Sequence, residues 1–236
     1  MLGAKIVIKR GGKDEAEKPF WISFADLMTA LMVLFLVVMG VALLAVTKNV
    51  TEREKQEELH RQDIELILER FTEAAKRFDG IKIDKERRVI DFGDRARFAF
   101  GKSNLSVDQE NVLRQFVPEI LTLANDELGK RVLKRIVVEG YTDKTGSYLS
   151  NLNLSLQRSQ RVLCTMFTSS GPNLLSNTQK LDVRSLFLVG GYSFNAGKDS
   201  DEESRRVEMR IEFLGIGEQR AGVGAASENF GECALR

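Results

Sequence analysis

The distribution of apolar residues divides the chain into stretches of different character. Residues 20–46 are almost wholly apolar, residues 48–79 are rich in charge, and the remainder alternates short apolar and polar runs. The 21 residues from Leu27 to Thr47 carry no charge, and as a helix they would span roughly 30 Å, the thickness of a bilayer core. The pattern predicts a transmembrane helix over residues 19–47.

The flank before this helix predicts its orientation. Residues 1–18 contain five lysines and arginines against three acids, and a basic excess favours a cytoplasmic N-terminus. Residues 48–236 would then lie in the periplasm of a bacterial cell, anchored in the inner membrane. A cleaved signal peptide is the alternative, but its apolar region is normally only about 7–15 residues long and carries no acid. The pattern favours an uncleaved anchor.

One acid interrupts the apolar run. Asp26 lies seven residues after Pro19, roughly 10 Å into the helix. An ionised Asp at a helix centre costs about 2.5–3.5 kcal/mol to insert. Asp26 could snorkel to the cytoplasmic interface, or it could face a protein partner or a water-filled path. The small side chains of Thr29 and Ala30 nearby allow close helix approach, which favours a multi-helix partner.

Residues 48–80 are predicted to continue as a periplasmic helical linker. Apolar residues recur there at intervals of three and four, a pattern typical of one buried helix face. This stripe could pair two chains or pack on the following domain. His60 lies in the charged part of the linker, so we expect its side chain to be solvated. The stripe consists of Ile64, Ile67, Phe71, Ala74 and Phe78.

Residues 81–214 alternate strand and helix signals, which predicts an α+β domain with one mixed sheet and helices on one face. Helices are expected at 106–126, where Ser106 and Gln109 form a capping-box pattern, and at 149–167. In the last strand, apolar residues alternate with Arg206, Glu208, Arg210 and Glu212, which we expect to face outward. The strands are expected at 88–92, 134–143, 184–192 and 205–213. Residues 215–236 form a Gly/Ala-rich C-terminal tail.

Composition excludes several classes of function. The 35 Lys and Arg residues nearly balance 34 Asp and Glu, which argues against a nucleic-acid binder. Two cysteines and one histidine are too few for a zinc cluster, and no nucleophile–base motif is present. We therefore expect no enzyme activity, no metal and no cofactor. Cys164 and Cys233 could pair within the chain or between chains in an oxidising periplasm, or Cys164 could be a buried thiol.

An acid and an arginine are predicted to meet where the strand at 134–143 leads into the next helix. Asp143 ends that strand, and Asn151, Leu154 and Arg158 share one helix face because they are spaced i, i+3, i+7. A carboxylate beside a guanidinium suits a zwitterionic ligand. An ordinary structural salt bridge is the alternative, and spacing alone does not decide between the two.

The apolar run also carries a family signature. "WISFADLMTALMVLFLVVM" resembles the transmembrane segment of the MotB family, the B subunits of ion-driven flagellar stators. The resemblance implies that Asp26 carries the ion, H⁺ or Na⁺. Members of that family carry a plug just after the membrane helix; residues 48–62 occupy that place in this chain, but their composition does not show a plug. The matching positions include Trp21, Ala25, Asp26, Met28, Thr29, Ala30 and Met32.

A second signature lies in the predicted domain. "GYTDKTGSYLSNLNLSLQRSQRV" resembles the peptidoglycan-binding motif of OmpA-like domains, and "SRRVEMRI" resembles their closing strand. The resemblance covers roughly residues 88–214. It implies that Asp143 and Arg158 hold the diaminopimelate of the peptide stem and that Asn151 and Leu154 line the same site. Thr142 matches the motif and is expected in the same site. Tyr141 replaces the usual His and could still supply a hydrogen bond there, and Ser204 replaces the usual Asn.

The order of the two signatures is that of a stator subunit, and it fits two groups of the superfamily. One is flagellar MotB; the other, which the chain resembles more, is the MotB-like ZorB subunits of Zorya anti-phage defence systems. The resemblance implies a homodimer of this chain inside a ring of MotA-like (ZorA-like) membrane subunits. It also implies contact with membrane lipid and peptidoglycan, and none with nucleic acid. A passive tether between membrane and cell wall is the alternative from a different class.

Overall fold

The computed structural model describes residues 18–221 and 229–235, with side chains from Trp21 onward. The predicted N-terminal tail, apart from Lys18, lies outside the described residues, as do positions 222–228 and 236 of the C-terminal tail. Contacts divide the chain into a unit ending at Gln56 and a second, larger unit beginning at Glu57.

The first helix, α1, spans Lys18–Ala75 and contains the apolar run. Its N-terminal part is long and apolar enough to cross a membrane. The side chains of this part, from Trp21 onward, are almost all exposed, so their apolar surface needs lipid or partner helices to cover it.

The second unit is built on one mixed sheet. Over the described residues it has five strands in the order β1-β2-β5-β3-β4, all antiparallel except the β3–β4 pair. This confirms the predicted α+β architecture. The strands are β1 Lys82–Asp84, β2 Val89–Asp91, β3 Leu133–Gly140, β4 Phe187–Gly191 and β5 Val207–Phe213. The helices are α2 Val107–Asn125, α3 Glu127–Val132, α4 Tyr148–Phe167, α5 Asn177–Leu186 and α6 Asp201–Ser204, with a 3₁₀ turn at Gly93–Ala96.

The end of α1 belongs to the core of this unit. Ile67 and Phe71 are fully buried, and Ile64 packs against the same cluster. Ion pairs fix the helix at the surface, including the two-pronged pair of Arg131 with Asp63 at 2.8 Å. The compact unit therefore begins earlier than the predicted boundary at residue 81, because the apolar stripe packs on its own domain.

The prediction that the His60 side chain is solvated is wrong. Its Nε2 lies 2.8 Å from the carbonyl oxygen of Leu214, and its side chain is half-buried rather than solvated. The end of β5 reaches α1 only in the folded chain, so the charged composition around residue 60 gave no sign of this contact.

Local signals place most of the other elements. Ser106 and Gln109 form the predicted capping box at the start of α2. The strand predicted at 184–192 is wrong over its first three residues, because α5 continues to Leu186. The pattern at Ser176 and Gln179, a second capping box, was the signal for this helix.

The two faces of the sheet differ in chemistry. Ile136, Val138, Met209 and Ile211 point into the core beneath the helices. The opposite face carries charged side chains, and here the prediction for β5 needs correction. Arg206 and Glu208 leave the core as expected, but they are buried rather than solvated. Arg206 Nε donates to Glu208 at 2.7 Å, and the neighbouring ion pairs cover both groups. Those pairs join Glu208 to Arg87 and Lys198, and Glu139 to Arg210.

The C-terminal tail is attached to the domain. Arg220 donates to the carbonyl oxygens of Ala124, Gly129 and Leu133, which end α2 and α3. Further along, a disulfide joins Cys164 on α4 to Cys233. Aromatic contact between Phe167 and Phe230, with ring centroids 5.1 Å apart, accompanies this bond.

We expect this disulfide to stabilise the second unit. It closes a loop of 69 residues, and the chain-entropy model gives a stabilisation of about 4 kcal/mol for a loop of that length. Cys164→Ser with Cys233→Ser should lower the free energy of unfolding of the full chain in detergent by that amount. The measurement is denaturant unfolding followed by circular dichroism. Reductant should destabilise the parent chain and leave the double variant unchanged; equal stability of the two chains would contradict the prediction.

Candidate functional site

The candidate site lies where β3 ends and the chain turns into α4. Backbone bonds hold this loop between the neighbouring strands: the Tyr141 N–H donates to the Arg206 carbonyl, and the Thr142 N–H donates to that of Ser193, both at 2.9 Å. Residues of the loop are therefore fixed by β5 on one side and by the segment after β4 on the other.

Asp143 is a buried carboxylate with two kinds of partner. One oxygen accepts from the Thr145 N–H at 2.9 Å, and the other accepts from Arg205 Nη1 at 3.1 Å. Burial alone would raise the pKa of Asp143. The bonds from Thr145 and Arg205 outweigh burial and hold the pKa below its usual value. The side chain is therefore an anion at neutral pH.

Helix α4 begins with a cap and presents the predicted face to this loop. The Ser147 hydroxyl accepts from the Ser150 N–H, and Asn151 Nδ2 donates to the Thr145 carbonyl at 3.0 Å. Asn151 is buried and Leu154 is half-buried. Asn151 thus ties the first turn of α4 to the loop that carries Asp143.

Arg158 is the largest fully buried side chain, with 0% exposure. Its guanidinium donates to the carbonyl oxygens of Tyr141 at 2.6 Å, Lys102 at 2.9 Å and Ala99 at 3.4 Å, and it stacks on the Phe98 ring. Burial lowers the pKa of Arg158 to about 10, partly offset by the field of Asp143. The side chain is therefore a cation whose direct bonds are to neutral carbonyl groups.

The structure brings the predicted acid and arginine to one junction, and they do not form with each other the salt bridge that was the alternative to a ligand site. Asp143 bonds to Arg205, a residue that sequence reasoning did not include in the site. The sequence signal for this residue was the run "SRRV", in which Arg205 and Arg206 precede β5. Arg205 donates to Asp143, whereas Arg206 donates to Glu208.

Tyr141 and Thr142 occupy different surroundings. The Tyr141 hydroxyl donates to Glu139 at 2.6 Å, and Arg206 stacks on its ring at 4.4 Å. The Tyr141 side chain therefore contacts the charged face of the sheet. Burial and the neighbouring Glu139 raise the pKa of Tyr141. The Thr142 hydroxyl is buried without a hydrogen-bond partner among the described residues. That leaves it able to bond a ligand.

Together these groups can bind a molecule that carries both signs of charge. A carboxylate at Asp143 attracts an ammonium group, and the guanidinium groups of Arg158 and Arg205 attract a carboxylate. Across residues 18–221 and 229–235, no cluster of His, Cys, Asp or Glu is arranged to hold a metal ion. The charges at this junction are complementary to those of a zwitterion.

Asp26 lies on α1 in the first unit. Its side chain is exposed on the isolated helix, as are the apolar side chains around it. The Thr29 hydroxyl, one turn away, donates to the Ala25 carbonyl, which satisfies that polar group within the helix. The described residues of the chain do not cover the carboxyl group.

Comparisons with known proteins find similarity in different parts of the chain. Residues 8–57 match the family model for membrane MotB of the proton-channel complex MotA/MotB. In overall structure the chain is similar to the OmpA-like domain of FopA1 from Francisella tularensis, with 19% identity and a TM-score of 0.36 over 54% of this chain and 75% of that one. It is also similar to the periplasmic domain of Helicobacter pylori MotB, with 18% identity and a TM-score of 0.37 over 52% and 80%.

A curated relative is similar over almost the whole length. Zorya protein ZorB of Escherichia coli O139:H28 (strain E24377A / ETEC) is 45% identical over 223 residues, which cover 93% of this chain and 91% of the relative. The chain belongs to the ZorB family of Zorya proteins.

Proposed function

We propose that this MotB-like Zorya subunit is the wall-anchored part of an ion-driven inner-membrane motor that acts in anti-phage defence. The observation that carries the proposal is the exposed carboxyl of Asp26 on a helix otherwise fit for lipid. An acid in that position is tolerated where partner helices or a water path receive it. We assign that role to a ring of ZorA-like subunits around a homodimer of this chain.

Asp26 is the proposed ion carrier. An ion crossing the membrane potential releases about 2.3 kcal/mol per charge per 100 mV. Binding of a proton neutralises the carboxyl, and release restores its charge, so the attraction between this helix and the ring changes in each cycle. We propose that the ion is H⁺. Na⁺ is the alternative, because a carboxylate can bind either ion.

The second unit is the proposed anchor. The ammonium of a diaminopimelate side chain would bind Asp143, and its carboxylate would bind Arg158 and Arg205. Since Arg158 is covered in the structure, the ligand carboxylate would replace the carbonyls of Lys102 and Ala99. A carboxylate adds the attraction of opposite charges that a neutral carbonyl lacks, and it can accept two parallel bonds from a guanidinium, which favours this exchange.

The proposed location is the inner membrane, with the N-terminus in the cytoplasm and the second unit in the periplasm. The basic excess in residues 1–18 supports this orientation. The disulfide between Cys164 and Cys233 supports it independently, because such bonds persist in an oxidising compartment.

Replacing the carboxyl of Asp26 tests the motor. Asp26→Asn keeps the size of the side chain and removes its proton chemistry, so it should abolish phage protection, measured as efficiency of plating with the complete system. Membrane level and peptidoglycan binding should stay unchanged. The matched control is Thr47→Val, which removes a hydroxyl that donates to the Leu43 carbonyl near the other end of the same apolar run; it should retain protection.

The same experiment separates the proposal from a passive tether. A tether needs the apolar helix but no acid within it, so full protection with Asp26→Asn would favour that alternative. Restoration of motility in a flagellar strain lacking its own B subunit would favour the flagellar assignment.

In this proposal, peptidoglycan binding depends on the charges of Asp143 and Arg158. Asp143→Ala with Arg158→Ala should reduce pull-down of the full chain by purified peptidoglycan at least tenfold. Arg161→Ala is the matched control because Arg161 lies one turn further along α4, where Arg161 Nη2 donates to the side-chain oxygen of Asn104. Undiminished binding by the double variant, with correct folding shown by circular dichroism, would refute the site.

Binding should also depend on pH through Asp143. Since its pKa is held below the usual value of about 4, binding should persist at pH 5 and fall as the pH drops through that lowered pKa. Protonation removes the charge that attracts the ammonium group. The stability that this carboxylate contributes is likewise present above its unfolded-state pKa and lost on acidification.

The role of Arg205 follows from the same titration. Arg205→Gln keeps a hydrogen-bond donor but removes the charge, so the pH of half-maximal binding should rise. Arg97→Gln is the control, because Arg97 pairs with Asp94 and Glu203 instead. An unchanged midpoint with Arg205→Gln, measured by pull-down between pH 3 and 7, would contradict the assigned contact.

A further inference from the structure

The disulfide between Cys164 and Cys233 attaches the last described part of the chain to helix α4. We call residues 229–235 the tail segment. Five of its seven residues, Cys233 among them, are exposed, and only Phe230 and Leu235 are half-buried. Cys164, in contrast, is half-buried on its helix. One sulfur of the bond is therefore carried by an exposed segment and the other by the body of the domain.

Packing contributes little to holding the tail segment in place. The Phe230 ring lies 5.1 Å from the ring of Phe167, measured between centroids, and a half-buried side chain contributes only part of its full hydrophobic free energy. Ordering the backbone of residues 229–235 costs more free energy than two half-buried side chains contribute. The disulfide reduces that cost, because it keeps the segment beside α4 in every conformation of the chain. Without the covalent bond, the segment would leave α4.

The tail segment forms one wall of a cavity of about 930 Å³. Another part of the lining comes from the end of α4, including Cys164 and Phe167, and from the loop at 168–170. Basic and acidic side chains line the same cavity. They are Arg114, Arg161, Arg184, Glu110 and Glu232. Departure of the tail segment would remove one wall and open the cavity to solvent.

We propose that this disulfide is an exchange site at which a protein dithiol reduces the bond, releases the tail segment and opens the cavity. In the first step a thiolate of the dithiol attacks the Cys233 sulfur, the bond to Cys164 breaks, and Cys164 leaves as a thiolate that takes up a proton. In the second step the other thiol of the dithiol attacks the mixed disulfide, and Cys233 leaves and is protonated. The chain gains two electrons and two protons, and the dithiol is oxidised to a disulfide.

Access and charge both favour attack at Cys233. Exchange depends on access to the attacked sulfur, and it is faster when the departing thiolate is stabilised. Cys233 is exposed, whereas Cys164 shares the cavity with three arginines against two glutamates. Positive charge near a cysteine stabilises its thiolate. Exposed disulfides are also the more readily reduced ones, so this bond is suited to regulation.

Trapping of the mixed disulfide tests the exchange. A thioredoxin-like protein whose second active-site cysteine is replaced by serine can attack a disulfide but cannot complete the reduction. Incubated with the full chain in detergent and quenched with acid, it should form a covalent adduct. Mass mapping should place at least fivefold more adduct on Cys233 than on Cys164. An adduct mainly on Cys164, or none while the same protein forms an adduct with a disulfide-bonded model peptide, would overturn the proposal.

Reactivity of Cys164 tests release of the tail segment. In Cys233→Ser, Cys164 is the only thiol of the chain, and no disulfide holds the segment. A maleimide carried on a large polyethylene glycol should then modify Cys164 in the folded full chain. The matched control ends the chain at Glu228, so that the tail segment is absent. We expect the two rates to agree within threefold, with folding of both chains shown by circular dichroism.

The parent chain provides the same measurement without a substitution. Reduced with a phosphine, it should react at Cys164 as fast as Cys233→Ser does. If either full-length chain reacts more than threefold more slowly than the shortened chain, the segment stays on α4 without its disulfide and the inference fails. The inference goes beyond the proposed function and is independent of it, because the cavity contains none of the groups proposed to bind peptidoglycan.

Discussion

The buried guanidinium of Arg158 is the contact on which the candidate site depends. A buried cation is strongly destabilising unless its donors are satisfied, and here backbone carbonyls from the end of β3 and from the loop before α2 satisfy them. Two separate segments must therefore converge on one side chain of α4. That convergence fixes the loop beside Asp143 and holds a positive charge where, in the proposed binding mode, a carboxylate ligand would replace a neutral acceptor.

Close packing of α4 on the sheet makes this contact reachable. A Cβ at Gly140 would lie 1.9 Å from the Ser155 carbonyl oxygen, and one at Gly191 would also clash with the helix. The Ser155 hydroxyl in turn accepts from the Ser193 N–H at 3.1 Å. Because positions 140 and 191 are glycines, α4 packs close enough to the strands for Arg158 to donate to the carbonyl group that follows β3. The same approach places Leu156 beside β4.

Charge is distributed differently over the two sides of the domain. On the face of the sheet opposite the helices, Glu208 forms ion pairs with Arg206 and Arg87. Arg206 and Glu208 are buried there, so that face resembles a polar core. At the site, Arg205 extends the other way to Asp143. Two adjacent arginines therefore couple the charged face of the sheet to the binding loop, and the disulfide to Cys233 fixes the far end of α4.

Sequence alone determined the features that local physics encodes. The apolar length of residues 20–46, the acid at Asp26, the cap at Ser106 and the helix face of Asn151, Leu154 and Arg158 follow from composition, spacing and turn chemistry over a few residues. With the family signatures, these were enough to predict the architecture and to nominate both candidate sites.

Tertiary structure decided which of several possible partners each side chain has. Only folding brings Arg205 to Asp143, 62 residues apart, His60 to Leu214, 154 residues apart, and the stripe of α1 into its own domain rather than against a second chain. Spacing rules reach about two helical turns, so they cannot rank partners that are distant in the chain. Burial of charge and apolar surface in the assembled fold selects among them.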